Sequence, residues 1–405
     1  MDNLKVFRGI LSLLMAFWLA FGSICSPAAA LTDEQKIVSQ AWRIVNRAYL
    51  DDTFNHQNWA QVRQKALKSR LKDRDTAYEA IQGMLKTLDD PFTRFLDPRQ
   101  YRSLQVNTSG ELTGVGLQIA LNPETGKLEV VTPITGSPAE KAGIQPRDRI
   151  IKIEGKPTEN LTLDQAASLM RGRVGTAVSL VIDRDGTAPK EISIIRDRIT
   201  LNPVIAKLQK DKQINIGYIR LTQFNANAPS ELARAVSELE EKGADSYVLD
   251  LRNNPGGLLQ AGIEVARLWL DSGIVVYTVN RQGIEGSFES FGSALTKDPL
   301  VVLVNQGTAS ASEILAGALQ DNHRATLVGE KTFGKGLIQS LFQLSDGSGL
   351  AVTIAKYETP SHRDINKLGI TPDQVVTSEP IRLQQLTTSS DIQYQAAVEH
   401  LAKNS

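Results

Sequence analysis

The chain has 405 residues and carries 45 lysines and arginines against 45 aspartates and glutamates, so its formal net charge is zero at pH 7. This length is sufficient for a full core and predicts two or three domains, while the balanced charge argues against a nucleic-acid partner. The single cysteine lies close to the N-terminus, and the four histidines are scattered without the spacing of metal ligands. We therefore expect no metal site and no cofactor.

Residues 1–30 have the layout of a secretory signal peptide. Two basic residues precede an apolar run at 10–24, and small residues follow it. This order predicts export with cleavage after Ala30. An uncleaved membrane anchor is the alternative, but the run is short for a span. Lipidation of Cys25 is disfavoured because Ile24 stands where a lipoprotein signal has a small residue. After cleavage no thiol would remain, so we expect no disulfide and no cysteine nucleophile.

Residues 31–105 are predicted to form a helical N-terminal domain. Apolar residues recur at the spacing of one helix face over residues 37–49, and similar patterns follow at 59–71 and 76–88. Two Asp-Pro steps after residue 88 end the helical pattern. We interpret this part as a small cap without a chemical role.

Residues 106–196 change to short strands separated by turns, which predicts a compact β-rich module. Gly114 and Gly116 flank Val115 ahead of a strand that begins at Leu117. The two glycines allow successive backbone N–H groups to point into one concavity that fits a chain-terminal carboxylate, and a peptide can add as a strand beside it. A tight turn without a ligand is the alternative.

The module contains Ser-Pro-Ala at 137–139, Ala-Gly-Ile at 142–144 and Asp-Arg-Ile-Ile at 148–151. With these motifs it resembles a PDZ domain across nearly its whole length. Arg147 stands where the PDZ family usually has glycine. The resemblance implies that the C-terminus of a protein substrate binds at the glycine loop, which consists of Gly114, Val115, Gly116 and Leu117.

Residues 197–405 alternate between strands and helices. This alternation predicts an α/β core with a mainly parallel sheet and a C-terminal helix packed on it. In such sheets, functional sites gather beyond the carboxyl ends of the strands. Two of these ends are conspicuous: the glycine-rich segment at 252–257 and the hydroxyl-rich segment at 305–312.

The hydroxyl-rich segment presents Thr308, Ser310 and Ser312 at the start of a predicted helix. Ser310 and Glu313 match a helix-capping box, which needs no catalytic role. A helix N-terminus also stabilises an oxyanion that develops beside a serine, and the loop at Gly256 can approach closely because glycine has no side chain. From these residues alone, a cap and a nucleophile both remain open.

Lys335 stands between two glycines and is the candidate activator of a serine. A lysine base must be neutral, and lowering its pKa from about 10.4 by roughly three units costs about 4 kcal/mol, which burial can impose. Gln339 follows four residues later, on the same face of an extended strand, and can hold the amine. A solvated lysine is the alternative. A Ser-His-acid triad through His323 is a second catalytic possibility, but His323 lies at the start of a polar loop.

Three runs, at residues 249–257, 308–313 and 329–336, carry a second resemblance. They are similar to runs of the carboxyl-terminal processing peptidases, also called tail-specific proteases. The resemblance covers essentially the whole mature chain and implies that residues 197–405 form an α/β serine protease core behind the PDZ domain. The roles that it implies are Ser310 as nucleophile, Lys335 as general base, Gln339 as the residue that orients the lysine, the backbone N–H groups of Ala311 and Gly256 as the oxyanion hole, and Glu313 as a supporting residue.

The resemblance implies a serine endopeptidase that binds substrate C-termini through its PDZ domain and removes a C-terminal extension. Residues 89–96 and 345–349 are similar to those of the subgroup from oxygenic phototrophs that trims a photosystem II reaction-centre precursor. We therefore expect that precursor as substrate, a location in the thylakoid lumen or periplasm, a monomer, and proximity to a membrane through the substrate. The alternatives are a general quality-control protease of exported proteins and a non-catalytic PDZ adaptor.

Overall fold

The computed structural model describes residues 31–211 and 213–404. The predicted signal peptide, with Cys25, lies outside these residues. Within the described part of the chain, no helix combines the length and the apolar character needed to cross a membrane. The chain has the predicted multidomain α/β fold, with a helical N-terminal part, a β-rich module and an α/β core.

The N-terminal part consists of helices whose first turns are capped by side chains. Thr32, Asp73 and Asp97 each accept backbone N–H groups at a helix start, which satisfies donors that have no partner within the helix. The last of these helices continues to Ser109, past the boundary predicted at residue 105. The elements are α1 (Asp33–Ala48), α2 (Trp59–Lys68), α3 (Arg74–Lys86), β1 (Arg94–Leu96) and α4 (Pro98–Ser109).

The helical part shares its core with strands from the other end of the chain. Apolar side chains of α1, α2 and α3 form one buried cluster with Leu344, Leu350 and Val352. Strand β1 pairs antiparallel with residues 349–351. The N-terminal part is therefore packed into the protein and is not an appended cap.

The β-rich module has its own hydrophobic core. Its elements are β2 (Glu111–Gly114), β3 (Leu117–Leu121), β4 (Leu128–Pro133), α5 (Pro138–Lys141), β5 (Arg149–Ile153), β6 (Lys156–Pro157), α6 (Leu163–Met170), β7 (Ala177–Asp183), β8 (Lys190–Ile195) and β9 (Asp197–Thr200). The sheet is ordered β3-β4-β5-β7-β8, with β6 beside β5, so β3 and β8 form its two edges, and α6 packs near β3. Strand β2 instead pairs with β9, which joins the module to the rest of the chain.

The core contains the predicted mainly parallel sheet. The elements of the core are β10 (Val204–Asp211), β11 (Ile214–Leu221), α7 (Ala228–Glu241), β12 (Ser246–Asp250), α8 (Leu259–Arg267), β13 (Ser272–Asn280), β14 (Gly283–Phe291), β15 (Leu300–Val304), α9 (Ala311–Asp321), β16 (Thr326–Gly329), β17 (Leu337–Gln343), β18 (Gly349–Glu358), β19 (Gln374–Val375), a 3-10 turn (Leu383–Gln385) and α10 (Ile392–Asn404). The parallel sheet is ordered β10-β11-β12-β15-β16-β19. Among the described residues of this sheet, only the β10–β11 pair is antiparallel. Helices α7, α8 and α9 cover one face, and α10 covers the other.

A second sheet, which the sequence analysis did not predict, lies beside the parallel one. It is antiparallel and joins β1, β18, β13 and β14, with β17 also paired to β18. Ser310 follows a strand of the parallel sheet, whereas Lys335 precedes β17 of the antiparallel sheet. The two candidate catalytic residues are therefore delivered by different sheets.

Candidate active site

The turn after β15 exposes one of its three hydroxyls. Thr308 and Ser312 are fully buried, and their hydroxyls donate to main-chain oxygens of Leu251 and Asn254 at 2.9 and 3.0 Å. Ser310 is only partly buried and lines a cavity. Its backbone has φ +58° and ψ −118°, a conformation that costs a non-glycine residue about 1–3 kcal/mol. Such strain is found at sites where a side chain must be presented in one direction.

Glu313 connects two segments, the turn that carries Ser310 (the serine turn, residues 305–310) and the loop that carries Lys335 (the lysine loop, residues 330–336). Its carboxylate is fully buried. One oxygen accepts the backbone N–H of Ser310 at 2.9 Å and of Lys335 at 2.8 Å. The other accepts the Thr332 hydroxyl at 2.5 Å and the Gly334 N–H at 2.8 Å. The carboxylate thus fixes both segments through four hydrogen bonds.

Ser310 and Glu313 are arranged as the predicted capping box at the start of α9. The Glu313 side chain accepts the Ser310 N–H at 2.9 Å. The backbone N–H of Glu313 donates to the main-chain oxygen of Ser310 at 2.8 Å. This bond to the main chain satisfies the Glu313 N–H without the serine hydroxyl.

A buried tyrosine provides a second connection between the same two segments. The Tyr357 hydroxyl lies 3.0 Å from the main-chain oxygen of Ser310 and 2.6 Å from that of Lys335. Burial, and secondarily the charge of Glu313, raises the pKa of Tyr357 well above its usual value. The phenol therefore remains a neutral donor, with one hydrogen for two acceptors.

The environment of the Lys335 amine favours its neutral form. Burial is the main cause that lowers the pKa of this amine, and the nearby positive charge of Arg94 acts in the same direction. Asp90 and Glu313 oppose the shift without reversing it. The Lys335 nitrogen lies 5.0 Å from the centroid of the Phe92 ring. The sign of the shift is the one that a lysine base requires.

One cavity of about 360 Å³ brings the predicted catalytic residues together. Among the hydrogen bonds of the described residues, none joins the Ser310 hydroxyl to the Lys335 amine. The two groups therefore share the cavity without a hydrogen bond between them. The predicted residues that line it are Ser310, Lys335, Gln339, Gly256 and Ala311.

The predicted oxyanion donors have different surroundings. Ala311 is the first residue of α9, where backbone N–H groups have no acceptor within the helix. Gly256 has φ +90°, and a Cβ added there would lie 2.8 Å from the Ala311 nitrogen and 2.9 Å from Ser310 Cβ. Only glycine fits this position. The Gly256 N–H, however, donates to the side-chain oxygen of Asn254 at 2.9 Å.

Gln339 does not hold the lysine in this structure. Its side-chain nitrogen lies 3.5 Å from the Thr353 hydroxyl. The pairing of β17 with β18 is irregular between Ile338 and Gln339, so simple alternation along the strand does not describe this stretch. Gln339 lines the cavity, and its predicted role in orienting Lys335 stays a prediction.

His323 lies at a different cavity, lined also by Asp373 and Arg324. It does not line the cavity that contains Ser310. The alternative Ser-His-acid triad through His323 is therefore wrong.

The N-terminal part supplies one wall of the cavity, contrary to the interpretation that it has no chemical role. Phe92, Arg94, Leu104 and Thr108 all line the cavity with Ser310. The sequence signal that could have found Phe92 and Arg94 is the Asp-Asp-Pro-Phe-Thr-Arg run at 89–94, which ends the helical pattern. No local periodicity indicates that this run contacts a residue more than 200 positions later.

The glycine loop of the β-rich module is fixed by its own carbonyls. Val115 is buried, and its carbonyl accepts the Ala139 N–H at 2.9 Å, while the Gly116 carbonyl accepts the Ile134 N–H at 2.9 Å. Gly116 has φ +79°, and an added Cβ would lie 2.3 Å from Ser137 Cβ. Gly114 ends β2 and Leu117 starts the edge strand β3. The loop therefore stands at the end of an edge available for strand addition.

Comparisons with known proteins agree with this architecture. Residues 215–376 match peptidase family S41, and residues 129–184 match the PDZ domain. A carboxyl-terminal-processing protease of Picosynechococcus sp. is 60% identical over 397 residues, covering 98% of this chain and 96% of that protein. The corresponding protein of Synechocystis sp. is 60% identical over 392 residues, covering 96% and 92%. A solved structure of a photosystem II D1 C-terminal processing protease is 41% identical, with a TM-score of 0.56, and covers 89% of this chain and 98% of that one.

Proposed function

The chain belongs to peptidase family S41, as a carboxyl-terminal-processing protease with a PDZ domain, and on this premise we propose that Ser310 and Lys335 form its catalytic dyad. The observation that carries the proposal is the shared cavity. In it, a strained serine at a helix start faces the same space as a lysine amine whose pKa is lowered by burial.

In the proposed mechanism, the neutral Lys335 amine accepts the proton of the Ser310 hydroxyl as its oxygen attacks the scissile carbonyl carbon. The oxyanion faces the Ala311 N–H at the positive end of α9. Gly256 is the second donor, provided that its N–H turns from Asn254 to the oxyanion. The C–N bond then breaks, and the Lys335 ammonium returns the proton to the leaving amine.

The acyl-enzyme is hydrolysed by the same groups. The neutral amine takes a proton from water, the hydroxide attacks the ester carbon, and the ammonium reprotonates the Ser310 oxygen as the ester bond breaks. Gln339 is proposed to orient the amine once substrate is bound, because it lines the same cavity. Substrate binding must also bring the amine to the serine hydroxyl, since catalytic hydrogen bonds often tighten only in the complex.

The substrate is proposed to be a protein C-terminus held by Gly114, Val115, Gly116 and Leu117 of the PDZ domain. The D1 precursor of photosystem II is the proposed physiological substrate, because a solved relative carries that activity in its name. Relatives described as chloroplastic support a thylakoid lumen, or otherwise a periplasmic, location after export. We further propose that a monomer acts beside a membrane that holds the substrate. A general quality-control protease would instead cleave unrelated tails of equal length at equal rates.

The test is cleavage of a defined C-terminally extended peptide, followed by mass spectrometry, with wild type, Ser310→Ala and Lys335→Ala. Both variants should lose at least about a thousandfold in kcat/KM, since each removes one half of the proton-transfer pair. Lys331→Ala, which changes an exposed lysine four residues before Lys335, is the matched control and should cleave normally.

The pH profile gives an independent result. Because the pKa of Lys335 is lowered, the fraction of neutral amine at neutral pH is increased, and kcat/KM should fall as pH drops through that lowered pKa.

Cleavage by Lys335→Ala at wild-type rate, or an intact peptide after long incubation with wild type, would reject the dyad. The second outcome would favour a PDZ adaptor without catalysis.

A further inference from the structure

A turn of the N-terminal part, here called the Asp90 turn (residues 90–94), is fixed against the lysine loop. The Asp90 carboxylate accepts the Phe92 N–H at 2.9 Å and the Thr93 hydroxyl at 2.7 Å. The Thr93 oxygen in turn accepts the backbone N–H of Thr353 at 3.0 Å, and both threonines are buried. Strand β1 then pairs with β18. The turn is therefore held on β18 by side-chain and main-chain hydrogen bonds.

The Asp90 turn places two side chains at the candidate base. The Phe92 ring centroid lies 5.0 Å from the Lys335 nitrogen. Both Phe92 and Arg94 line the cavity that contains Ser310. The ring is partly buried, whereas the arginine is exposed. One side chain thus limits the access of water to the amine, and the other adds a positive charge to the same space.

We propose that Phe92 and Arg94 are positioning residues for Lys335: the ring keeps water from the amine, and the guanidinium disfavours a second positive charge in the cavity. This inference rests on the proposed function, in which Lys335 is the base. It assigns to the N-terminal helical part a role in the chemistry of a dyad that belongs to the core.

The other charged and titratable groups around the amine come from several elements. Asp90, on the same turn, and Glu313, on α9, both favour the ammonium. Tyr357 of β18 contacts the main-chain oxygen of Lys335 as a neutral donor. The adjoining cavity beside Phe92 is lined by further charged side chains, namely Asp51, Asp89 and Lys367. Arg94 lines the cavity of Ser310. Its positive charge opposes the effect of Asp90 and Glu313 on the pKa of Lys335.

The ring has two opposing effects on the amine. Its face attracts an ammonium, but its bulk excludes water, which hydrates an ammonium more strongly than a phenyl ring does. Burial is the largest cause of the lowered pKa of Lys335, and the ring, whose centroid lies 5.0 Å from the nitrogen, contributes to that burial. Removing the ring should therefore favour the charged form.

The test measures kcat/KM against pH for a C-terminally extended peptide, because its acid limb reports the protonation of the free enzyme. For Arg94→Gln, the acid limb should move up by about 0.5–1 pH unit, which lowers kcat/KM on that limb by about three- to tenfold and leaves the high-pH plateau in place. Arg94→Lys retains the charge and should keep the limb of the wild type. Arg99→Gln is the matched control, since Arg99 is exposed nearby on α4 and does not line this cavity.

Phe92 is tested by two variants in the same assay. Phe92→Ala admits water and should move the acid limb up. Phe92→Leu retains an apolar cover without the aromatic face. The acid limb of its kcat/KM profile should therefore lie at lower pH than that of Phe92→Ala. If Phe92→Ala unfolds, Arg94→Gln still tests the proposal, since Arg94 is exposed and its expected shift is measured against the wild type.

The proposal is overturned if the acid limbs of Arg94→Gln and Phe92→Ala coincide with that of the wild type, or if these variants lower kcat/KM by the same factor at every pH. The second outcome would mean that these residues bind substrate or support the fold. Failure of the dyad itself is recognised separately, because Lys335→Ala would then retain activity whatever the behaviour of the Asp90 turn.

Discussion

At the scale of single residues, Glu313 explains how a serine and a lysine from different sheets are kept at one cavity. Its two oxygens accept four hydrogen bonds, including those from the backbone N–H groups of Ser310 and Lys335. The carboxylate also favours the charged form of Lys335. The residue therefore has two separable effects, one on position and one on charge.

Replacing Glu313 by Gln should separate these effects. An amide offers one acceptor oxygen, so two of the four donors lose their partner, at a cost of about 1–3 kcal/mol for each buried group. We expect the kcat plateau to fall by about ten- to a hundredfold because the serine turn and the lysine loop are no longer fixed. Loss of the negative charge should at the same time move the acid limb of kcat/KM to lower pH. Glu313→Asp retains the negative charge. It should lower the kcat plateau but should not move the acid limb of kcat/KM to lower pH. An unchanged plateau in Glu313→Gln would contradict the positioning role.

At the scale of elements, the strands and helices that carry the two candidate catalytic residues could be predicted from the sequence, but the second sheet could not. The run at 300–304 is wholly apolar and became buried strand β15, followed by α9 at the expected place. Strand β1 has three residues and pairs with β18, more than 250 positions later. This strand is too short to show a hydrophobic periodicity. Antiparallel pairing over this separation in sequence depends on tertiary packing. For the same reason, Phe92 and Arg94 were not predicted as cavity residues.

The carboxyl end of β12 is joined to the C-terminal helix by a buried ionic network. The Arg252 guanidinium donates to Asp250 at 2.8 and 3.0 Å and to Asp391 at 2.7 and 2.9 Å, and all three residues are buried. Although burial raises it, hydrogen bonds from Arg252 hold the pKa of Asp391 below its usual range. The network therefore stabilises the fold above the ordinary pKa of an aspartate, and this contribution is lost as pH falls through the lowered value.

Arg252→Met should destabilise the protein by about 3–5 kcal/mol at neutral pH, because it leaves buried Asp391 without its cation and leaves Asp250 with the 3.3 Å pair to Arg220. Arg234→Met removes an exposed arginine from pairs with Glu231 and Glu238, and it should cost at most about 1 kcal/mol. Urea unfolding followed by circular dichroism measures both. The difference between the two variants should shrink as pH is lowered through the titration of Asp391. Equal losses at neutral pH would show that the network adds no more than a surface pair.

At the scale of the whole molecule, the proposed function requires the three parts to act on one substrate chain. The N-terminal part walls the cavity, the two sheets of the core deliver the serine and the lysine, and the PDZ domain is joined to them through the pairing of β2 with β9. The glycine loop lies directly after β2. If this loop captures the substrate carboxylate, binding and chemistry are separated in space, and a defect in the loop should affect KM more than kcat.

Two glycine substitutions test this separation. Gly116 and Gly126 both have positive φ, of +79° and +66°, but an added Cβ meets Ser137 only at Gly116, while Gly126 faces open space. Gly116→Ala should therefore distort the loop and raise KM for a peptide with a free C-terminus by about tenfold, equivalent to about 1.4 kcal/mol, with kcat changed less than about twofold. Gly126→Ala carries a comparable backbone strain and should retain the KM of the wild type. Amidation of the peptide C-terminus should raise KM for the wild type and remove the difference between the two variants. A loss confined to kcat, or an equal loss in both variants, would mean that the carboxylate is bound elsewhere.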